Sequence, residues 1–344
     1  MLKWYERKGN LQDVVISTKV GIARNIRKYP FSPKISDEQA IALVNEVEEV
    51  CKQSGTELSD MVACSLAEMT ESERMALAER QVITPKMAQK KQYRGLLMRE
   101  DESASILINE EDHILIQTIT SGMNAKDAYA RADKLDDLLS EHFEYAFDEK
   151  YGYLTTCPTN VGTGLSVSYY MFLPALNAAG KITKLISEVG KYGVMLRGMY
   201  EEDGKSQASI FQVSNQKTLG HSEKDIIMNL NNIVSQIVKQ ERMHREYLFT
   251  RNFDAIEDQI YRSYGILKYT KQIDAKDAMR LLTQVMLGAD YGILKFHEEK
   301  NIYSMIMNIQ PYILQSRIGK NTGSSTRDRL RAQYMNQALP DLVE

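Results

Sequence analysis

Residues 103–119 read SASILINEEDHILIQTI, and the fold class turns on how they are read. Two short runs rich in β-branched residues, 103–108 and 113–119, flank the polar turn NEED, which predicts two strands joined as a hairpin. In the second strand His113, Leu115 and Gln117 share one face and Ile114 and Ile116 the other, because side chains alternate along a strand. Leu115 is then a lone apolar residue on an otherwise polar face. Upstream, Ser36 and Gln39 form a capping box ahead of Ile41, Val44, Val47 and Val50, so a helix starts there. Downstream, a helix is expected over 125–143, with Leu135, Leu138, Leu139 and Phe143 on its apolar side. Ser222 caps another over 222–249, striped by Ile226, Leu230, Ile233, Ile237 and Val238. Strands are expected at 192–198 and 208–214. Beyond residue 250 strand signals fade and helical periods dominate, with the loop IGKNTGSST (318–326) before a last helix. A mixed α/β domain over 1–250 and a helical domain over 251–344 follow from this change. YGILK occurs at 264–268 and 291–295, but one short duplicate does not make a repeat architecture.

The length of 344 residues suits about two domains, and 43% hydrophobic with 26% charged residues suits a globular protein with a sizeable core. A net charge of −3 gives no reason to expect nucleic acid or an anionic membrane as partner. No apolar run approaches the ~18 residues that would span a bilayer, and MLKWYERKGN lacks the apolar centre of a secretion signal. Cys51, Cys64 and Cys157 are sparse, with no metal-ligand spacing, which fits free thiols in a reducing cytoplasm.

Four segments carry possible chemistry, each beside a plainer reading. Clustered acids in NEEDH (109–113) can raise one another's proton affinity and supply a general base; the plainer reading is a solvated acidic turn. In CPTNVGTG (157–164) glycines let backbone N–H groups close around an anion beside a thiol; the alternative is a strand-to-helix turn with an inert Cys157. No GK[ST] follows the loop, and no GxGxxG suggests a dinucleotide. The run 85–99 carries Lys86, Lys90, Lys91, Arg94 and Arg99 with no acid, either a solvated face or a phosphate-binding loop. RDRLRA (327–332) places Arg327 and Arg331 on one helical face with Asp328 in the first turn, suiting phosphate or a phosphorylated guanidinium, or else an exposed basic helix.

Taken in order, VISTKVGIARN (15–25), NEEDH, CPTNVGTGLS (157–166), LRGMYEE (196–202) and SNQKTLGHSE (214–223) resemble the ATP:guanido phosphotransferases over nearly the whole chain. With its short N-terminus, helical C-terminal part and RDRLRA, the chain is similar to the bacterial protein-arginine kinases. The resemblance implies an α+β fold, an antiparallel sheet flanked by helices, followed by an all-helical C-terminal domain. It implies transfer of the ATP γ-phosphoryl group to arginine side chains of proteins, with Mg²⁺. By matching position, Glu111 is the catalytic glutamate, Glu202 the second acid and Cys157 the thiolate beside the guanidinium. Ser17, Thr18, Lys19, His113 and Arg197 fall at nucleotide-binding positions, and Arg327, Asp328 and Arg331 in a phosphoarginine pocket. A Clp-type protease, a heat-shock repressor, a zinc-finger activator and a homodimer are the implied partners, in a stress response.

The sequence departs from the family on the phosphate side. Lys19, Gly21, Leu115 and Ser166 stand where arginines are expected, Gln81 where a histidine is, and Glu201 where a glycine is; Arg197 remains. Lysine lacks the bidentate guanidinium fork. Two functions are compatible with that pattern: a kinase with an altered phosphate grip, or a catalytically impaired homologue that binds arginine or phosphoarginine proteins as an adaptor.

Overall fold

The computed structural model describes residues 1–89, 93–202, 205–206, 208–298, 300–318 and 323–343, with the side chains of 201, 202 and 205 outside the description. NEEDH joins two strands, Ala104–Ile108 (β4) and Ile114–Ser121 (β5), paired antiparallel with Leu107 opposite Leu115. They lie within an antiparallel sheet that also contains Val15–Arg24 (β1), Val62–Cys64 (β2), Gly95–Met98 (β3), Leu165–Phe172 (β6), Val194–Gly198 (β7) and Ile210–Asn215 (β8). The spatial order is β2-β3-β4-β5-β1-β6-β8-β7. β1 and β6, at the centre, are buried on both faces, so neither shows the alternation that marks a half-buried strand. The sequence pattern predicts no strand at either.

One face of the sheet is largely apolar. Val20, Ile22, Ile114, Ile116, Leu165, Val167 and Val213 pack against the helices Ala125–Ser140 (α1) and Glu223–Tyr269 (α2), which contribute Leu135, Leu139, Leu230 and Val234. The opposite face is divided. At one end Ile119, Tyr170, Phe172 and Ile210 meet the helices Ala275–Asp290 (α3) and Ile302–Asn308 (α4). At the other end the same face carries Lys19, Gly21, Gln117, Ser166 and Ser168, and the functional residues collect there. A third core borders this polar patch, built from Leu96, Leu107, Val82, Ile83 and Met87, with Leu115 packed against it. Leu115 is thus not a lone apolar residue; its partners come from other strands and from residues 82–88.

The Ser36 capping box forms, and its helix runs Asp37–Gln53. The helix expected over 222–249 continues to Tyr269, through a non-helical residue at Asn252 (φ −135°, ψ 33°). Glu241 of α2 is fully buried and accepts from the backbone N–H of Ala175 (3.0 Å) and Leu176 (2.9 Å). Arg245 binds that carboxylate at 2.8 Å and donates to the carbonyls of Asp13 and Phe172, so a satisfied buried ion pair pins α2 to the sheet. The two YGILK copies differ in conformation: 264–268 lies within α2, whereas 291–295 forms a turn after α3. The last helix is Ser324–Ala338 (α5); residues 319–322 of the expected loop lie outside the described residues.

Candidate active site

The NEEDH turn is not a solvated acidic turn. Glu110 is 8% exposed, Asp112 3% and His113 fully buried. The buried Glu110, Asp112 and His113 side chains each have a partner, whereas Asn109 Oδ1 has none among the described residues. Glu110 accepts from the Thr84 hydroxyl at 2.7 Å. Asp112 Oδ1 accepts from Asn25 Nδ2 (2.7 Å) and from the backbone N–H of Thr156 (2.6 Å). Asn25 Oδ1 in turn accepts from the His113 N–H at 2.9 Å. The Ile26 N–H donates to His113 Nδ1 (3.0 Å), so Nε2 carries the proton and donates to the Pro30 carbonyl at 2.9 Å. Burial pushes the His113 pKa down, keeping the ring neutral. Of the three acids in the turn, Glu111 is the one whose carboxylate stays 40% exposed, and Lys86 Nζ lies 3.5 Å from its Oε1.

The Asp112–Thr156 bond sets Glu111 beside the loop that bears Cys157, since each is the chain neighbour of a bonded residue. Cys157 precedes a short turn, Pro158–Asn160, and its Sγ lies 3.0 Å from Thr159 Oγ1. The Thr218 hydroxyl reaches the carbonyls of Thr159 (2.9 Å) and Val161 (2.7 Å), tying TLG to the loop. Gly162 sits at φ +113°, and a Cβ there would lie 2.9 Å from the Thr218 carbonyl, so only glycine lets the two segments approach this closely. Asn215 holds the start of β6 through the Val167 N–H (2.7 Å) and the Leu165 carbonyl (3.1 Å).

On the polar patch, Lys19 Nζ donates to the Gln81 carbonyl at 3.0 Å, and burial pulls its pKa down to about 8 against the pull of Glu110. Gln81 is 7% exposed at φ +65°, with both amide atoms unpartnered among the described residues; Gln117 Oε1 is likewise unpartnered. Arg197 Nε donates to Gln212 Oε1 (2.8 Å), and Gln212 Nε2 to Ser168 Oγ (2.8 Å), a chain across three strands. Gly21 is the registered partner of both Gln117 and Ser166, and a Cβ on it would lie 3.5 Å from Leu115 Cδ1 and 3.8 Å from Ser166 Cβ. The three positions thus adjoin on neighbouring strands. Arg24, also in the first motif, points to the opposite face and is bound by Asp136 at 2.6 Å.

In the helical region Arg331 is 2% exposed, donating to the carbonyls of Ile309 (3.1 Å) and Ile273 (2.9 Å) and to Asp328 Oδ1 (2.6 Å). It is no exposed basic helix residue. A cavity of about 380 Å³ beside it is lined by Ile273, Asp274, Asp277, Arg280 and Asp328.

Residues 42–244 match the family described as ATP:guanido phosphotransferase, C-terminal catalytic domain, and residues 253–344 the one described as Protein-arginine kinase McsB C-terminal domain. The protein-arginine kinase of Brevibacillus brevis is 38% identical over 337 residues, 98% of this chain and 94% of the relative. That of Caldanaerobacter subterraneus is also 38% identical, covering 95% and 97%. The chain belongs to the protein-arginine kinases of the ATP:guanido phosphotransferase family. Solved structures agree on the fold: lombricine kinase superposes with a TM-score of 0.58 (21% identity, 70% of this chain and 69% of that one), and the duplicated taurocyamine kinase from Schistosoma mansoni with 0.62 (21% identity, 92% and 48%). Family membership implies ATP as phosphoryl donor and proteins as acceptors.

Within this family frame the structure sorts the residues singled out in the sequence. The Asp112–Thr156 bond joins the turn bearing Glu111 to the loop bearing Cys157, while Lys19 and Arg197 lie on one face of the sheet. Ser17 is fully buried, and Thr18 lies on the opposite face, where its hydroxyl donates to the Gly122 carbonyl at 2.6 Å. His113 has both ring nitrogens committed to backbone, so Thr18 and His113 hold the frame and offer nothing to a nucleotide. Arg331 likewise anchors its helix with its guanidinium, while Arg327 and Asp328 are half-buried beside it. The Glu201 and Glu202 side chains lie outside the description, although their backbone pairs with 205–206. Lys90 and Lys91 also lie outside the described residues. Sequence reasoning missed Asn25, Asp112 and Thr218, each a buried or half-buried hydrogen-bonding side chain inside a quoted motif, and the position of Lys86.

Proposed function

We propose that this chain recognises arginine side chains of proteins at the Glu111–Cys157 end of the cleft and phosphorylates them from ATP slowly, with a reduced phosphate grip. The observation that carries this is the paired state of the two ends: Asp112 ties the Glu111 turn to the Cys157 loop, while Gly21, Leu115 and Ser166 leave the phosphate end with Lys19 and Arg197. A carboxylate able to orient the guanidinium and accept its proton is what the acceptor requires, because protonated guanidinium is a poor nucleophile. The orphaned Gln81 amide and Gln117 oxygen beside Lys19 fit a polar ligand in the cleft. Mg²⁺, which would neutralise phosphate charge, would be carried by the nucleotide phosphates; among the described residues no cluster of three or more His, Cys, Asp or Glu is placed to hold a metal. In this reading 1–250 is the catalytic domain and 251–344 a helical domain for dimerisation and for phosphoarginine, held through Arg327 and Asp328. A stress response with a Clp-type protease, a heat-shock repressor and a zinc-finger activator completes it by family resemblance, in a cytoplasm with which three free cysteines are compatible. No helix among the described residues is long and apolar enough to cross a membrane.

Leu115 favours a second reading, because an apolar side chain beside Gly21 occupies ground where phosphate oxygens need donors. Each lost charge-stabilising donor costs about 10²–10³ in rate at well-studied sites. The chain would then bind arginine or phosphoarginine proteins as an adaptor. Calorimetry with Mg-ATP and with phosphoarginine, beside mass spectrometry of a mixed protein substrate, separates the two. New phosphoarginine on the substrate with measurable ATP binding supports the kinase; phosphoarginine binding without ATP binding or transfer refutes it.

A further inference from the structure

Among the described residues of the basic run 85–99, Lys86 is the one that reaches the Glu111 carboxylate. Lys86 lies in the short helix Pro85–Gln89, and its ammonium stands 3.5 Å from Glu111 Oε1, with the two side chains 55% and 40% exposed. The backbone beneath it is fixed. Met87 and Ala88 are fully buried in the third core, and Arg74 Nε donates to the Ala88 carbonyl at 3.0 Å. Arg94 Nη1 donates to the Lys86 carbonyl at 3.1 Å, and the Thr84 hydroxyl joins the Met87 N–H (3.1 Å) to Glu110 (2.7 Å). An anchored platform therefore presents a cation to a carboxylate that is itself presented by an anchored turn. The pair is long and half solvated, so it is weak and opens readily.

We propose that Lys86 is a specificity-determining residue that tunes this cleft toward phosphoarginine over arginine; the proposal rests on the reading of Glu111 as the guanidinium anchor. Unmodified arginine is a single cation and must compete with Lys86 for Glu111. Phosphoarginine pairs a guanidino group with an adjacent anion, so it matches an adjacent carboxylate and ammonium in both signs. Glu111 takes the guanidino N–H groups, and the released ammonium takes the phosphoryl oxygens as a charge-assisted hydrogen bond. The opposite charges of the ligand give the two ligands opposite dependences on one lysine.

The test reads occupancy of the cleft itself. Alkylation of Cys157 by iodoacetamide, followed by mass spectrometry of its peptide, is measured in the full chain against increasing free arginine or free phosphoarginine. This readout is blind to ligand held in the helical region. In Lys86→Gln, half-protection by phosphoarginine should need about two- to fivefold more ligand, and half-protection by arginine about two- to fivefold less, the span of exposed ion pairs. Lys86→Arg should retain the wild-type order. A Lys86→Gln variant in which both ligands shift the same way, or neither shifts, overturns the proposal. If neither ligand protects Cys157 in the wild type, the reading of Glu111 and Cys157 fails, and the proposal with it.

Discussion

Replacing Gly21 by arginine should rebuild part of the phosphate grip, and the structure says why the change is tolerated. Gly21 is not at a positive φ, so a side chain costs no left-handed strain. Its new Cβ would find Leu115 Cδ1 at 3.5 Å and Ser166 Cβ at 3.8 Å, ordinary van der Waals distances. From there the side chain runs over the polar patch between Gln117 and Ser166, its registered neighbours. Ser166 is exposed, so Ser166→Arg adds a second guanidinium at little packing cost. Leu115→Arg differs, since it withdraws an apolar side chain from the third core and should lower stability.

A charge-assisted hydrogen bond is worth about 1.5–3 kcal/mol, so each arginine that reaches a phosphate should tighten Mg-ATP about ten- to a hundredfold. Gly21→Arg/Ser166→Arg should then bind more tightly than either single variant. Titration calorimetry with Mg-ATP, and with tripolyphosphate as a base-free probe, measures both steps. Circular dichroism melts confirm that the variants fold. A folded double variant with wild-type affinity for both ligands would refute the assignment of this patch to phosphate.

Three further outcomes follow from the same geometry. Burial holds Lys19 near pKa 8 instead of 10.5, so its charge fades as pH rises from 7 to 9, and tripolyphosphate affinity should fall over that window in the wild type but not in Lys19→Met. The depressed value also means that the native state disfavours the ammonium: the stability cost is fully present below about 8 and disappears as pH rises toward 10.5, which urea melts of the two proteins would register. Asp290 is raised from 3.8 to about 7 by burial and by Asp13, because Arg245, 3.8 Å away, is already engaged with Glu241 and two carbonyls. The Asp290 side chain keeps 26% of its surface exposed, so solvent screens part of this effect; the native state still holds a proton that the unfolded chain releases, stability falls as pH rises from 4 through 7, and Asp290→Asn should flatten that slope in urea melts. Thr218→Val should strand the carbonyls of Thr159 and Val161, cost about 1–3 kcal/mol, and speed Cys157 alkylation without altering the sheet.

The parts of the fold that could be read from the sequence are those whose pattern is local. The Ser36 cap, the NEEDH hairpin and the start of α2 each announce themselves within a few residues. β1 and β6 do not, because a strand buried on both faces loses its alternation, and these two also carry the site's Ser, Thr and Lys residues. The site was legible as motifs but not as geometry. His113 shows the limit: its letter and position suggest a ligand-binding imidazole, whereas its role depends on the Ile26 N–H and the Pro30 carbonyl, which no spacing reveals. Arg331 is the same case in the helical region. Asp112, between Glu111 and His113, has no local signal for its role, because only the fold brings Asn25 and Thr156 to it.

The substitutions on the phosphate side make physical sense only when taken together. Gly21, Leu115 and Ser166 are far apart in sequence and adjacent across β5, β1 and β6, so their changes compose one surface. A single surviving arginine among them would face neutral neighbours and lose the bidentate clamp on a triphosphate that several can share. Instead Leu115 extends the third core into the gap, and the remaining cations stand apart: Lys19 and Arg197 on the sheet face, Lys86 at the acceptor carboxylate. Dispersed single charges serve a ligand bearing one phosphoryl group better than one bearing three in a row, because the electrostatic benefit of a polyphosphate comes from concentrating donors along it. Under the proposed reading of Glu111 and Lys86, the cleft is matched more closely to phosphoarginine than to ATP. A kinase built this way should be product-inhibited, and an accumulating phosphoarginine product that slows turnover well before ATP is exhausted is the kinetic signature to look for.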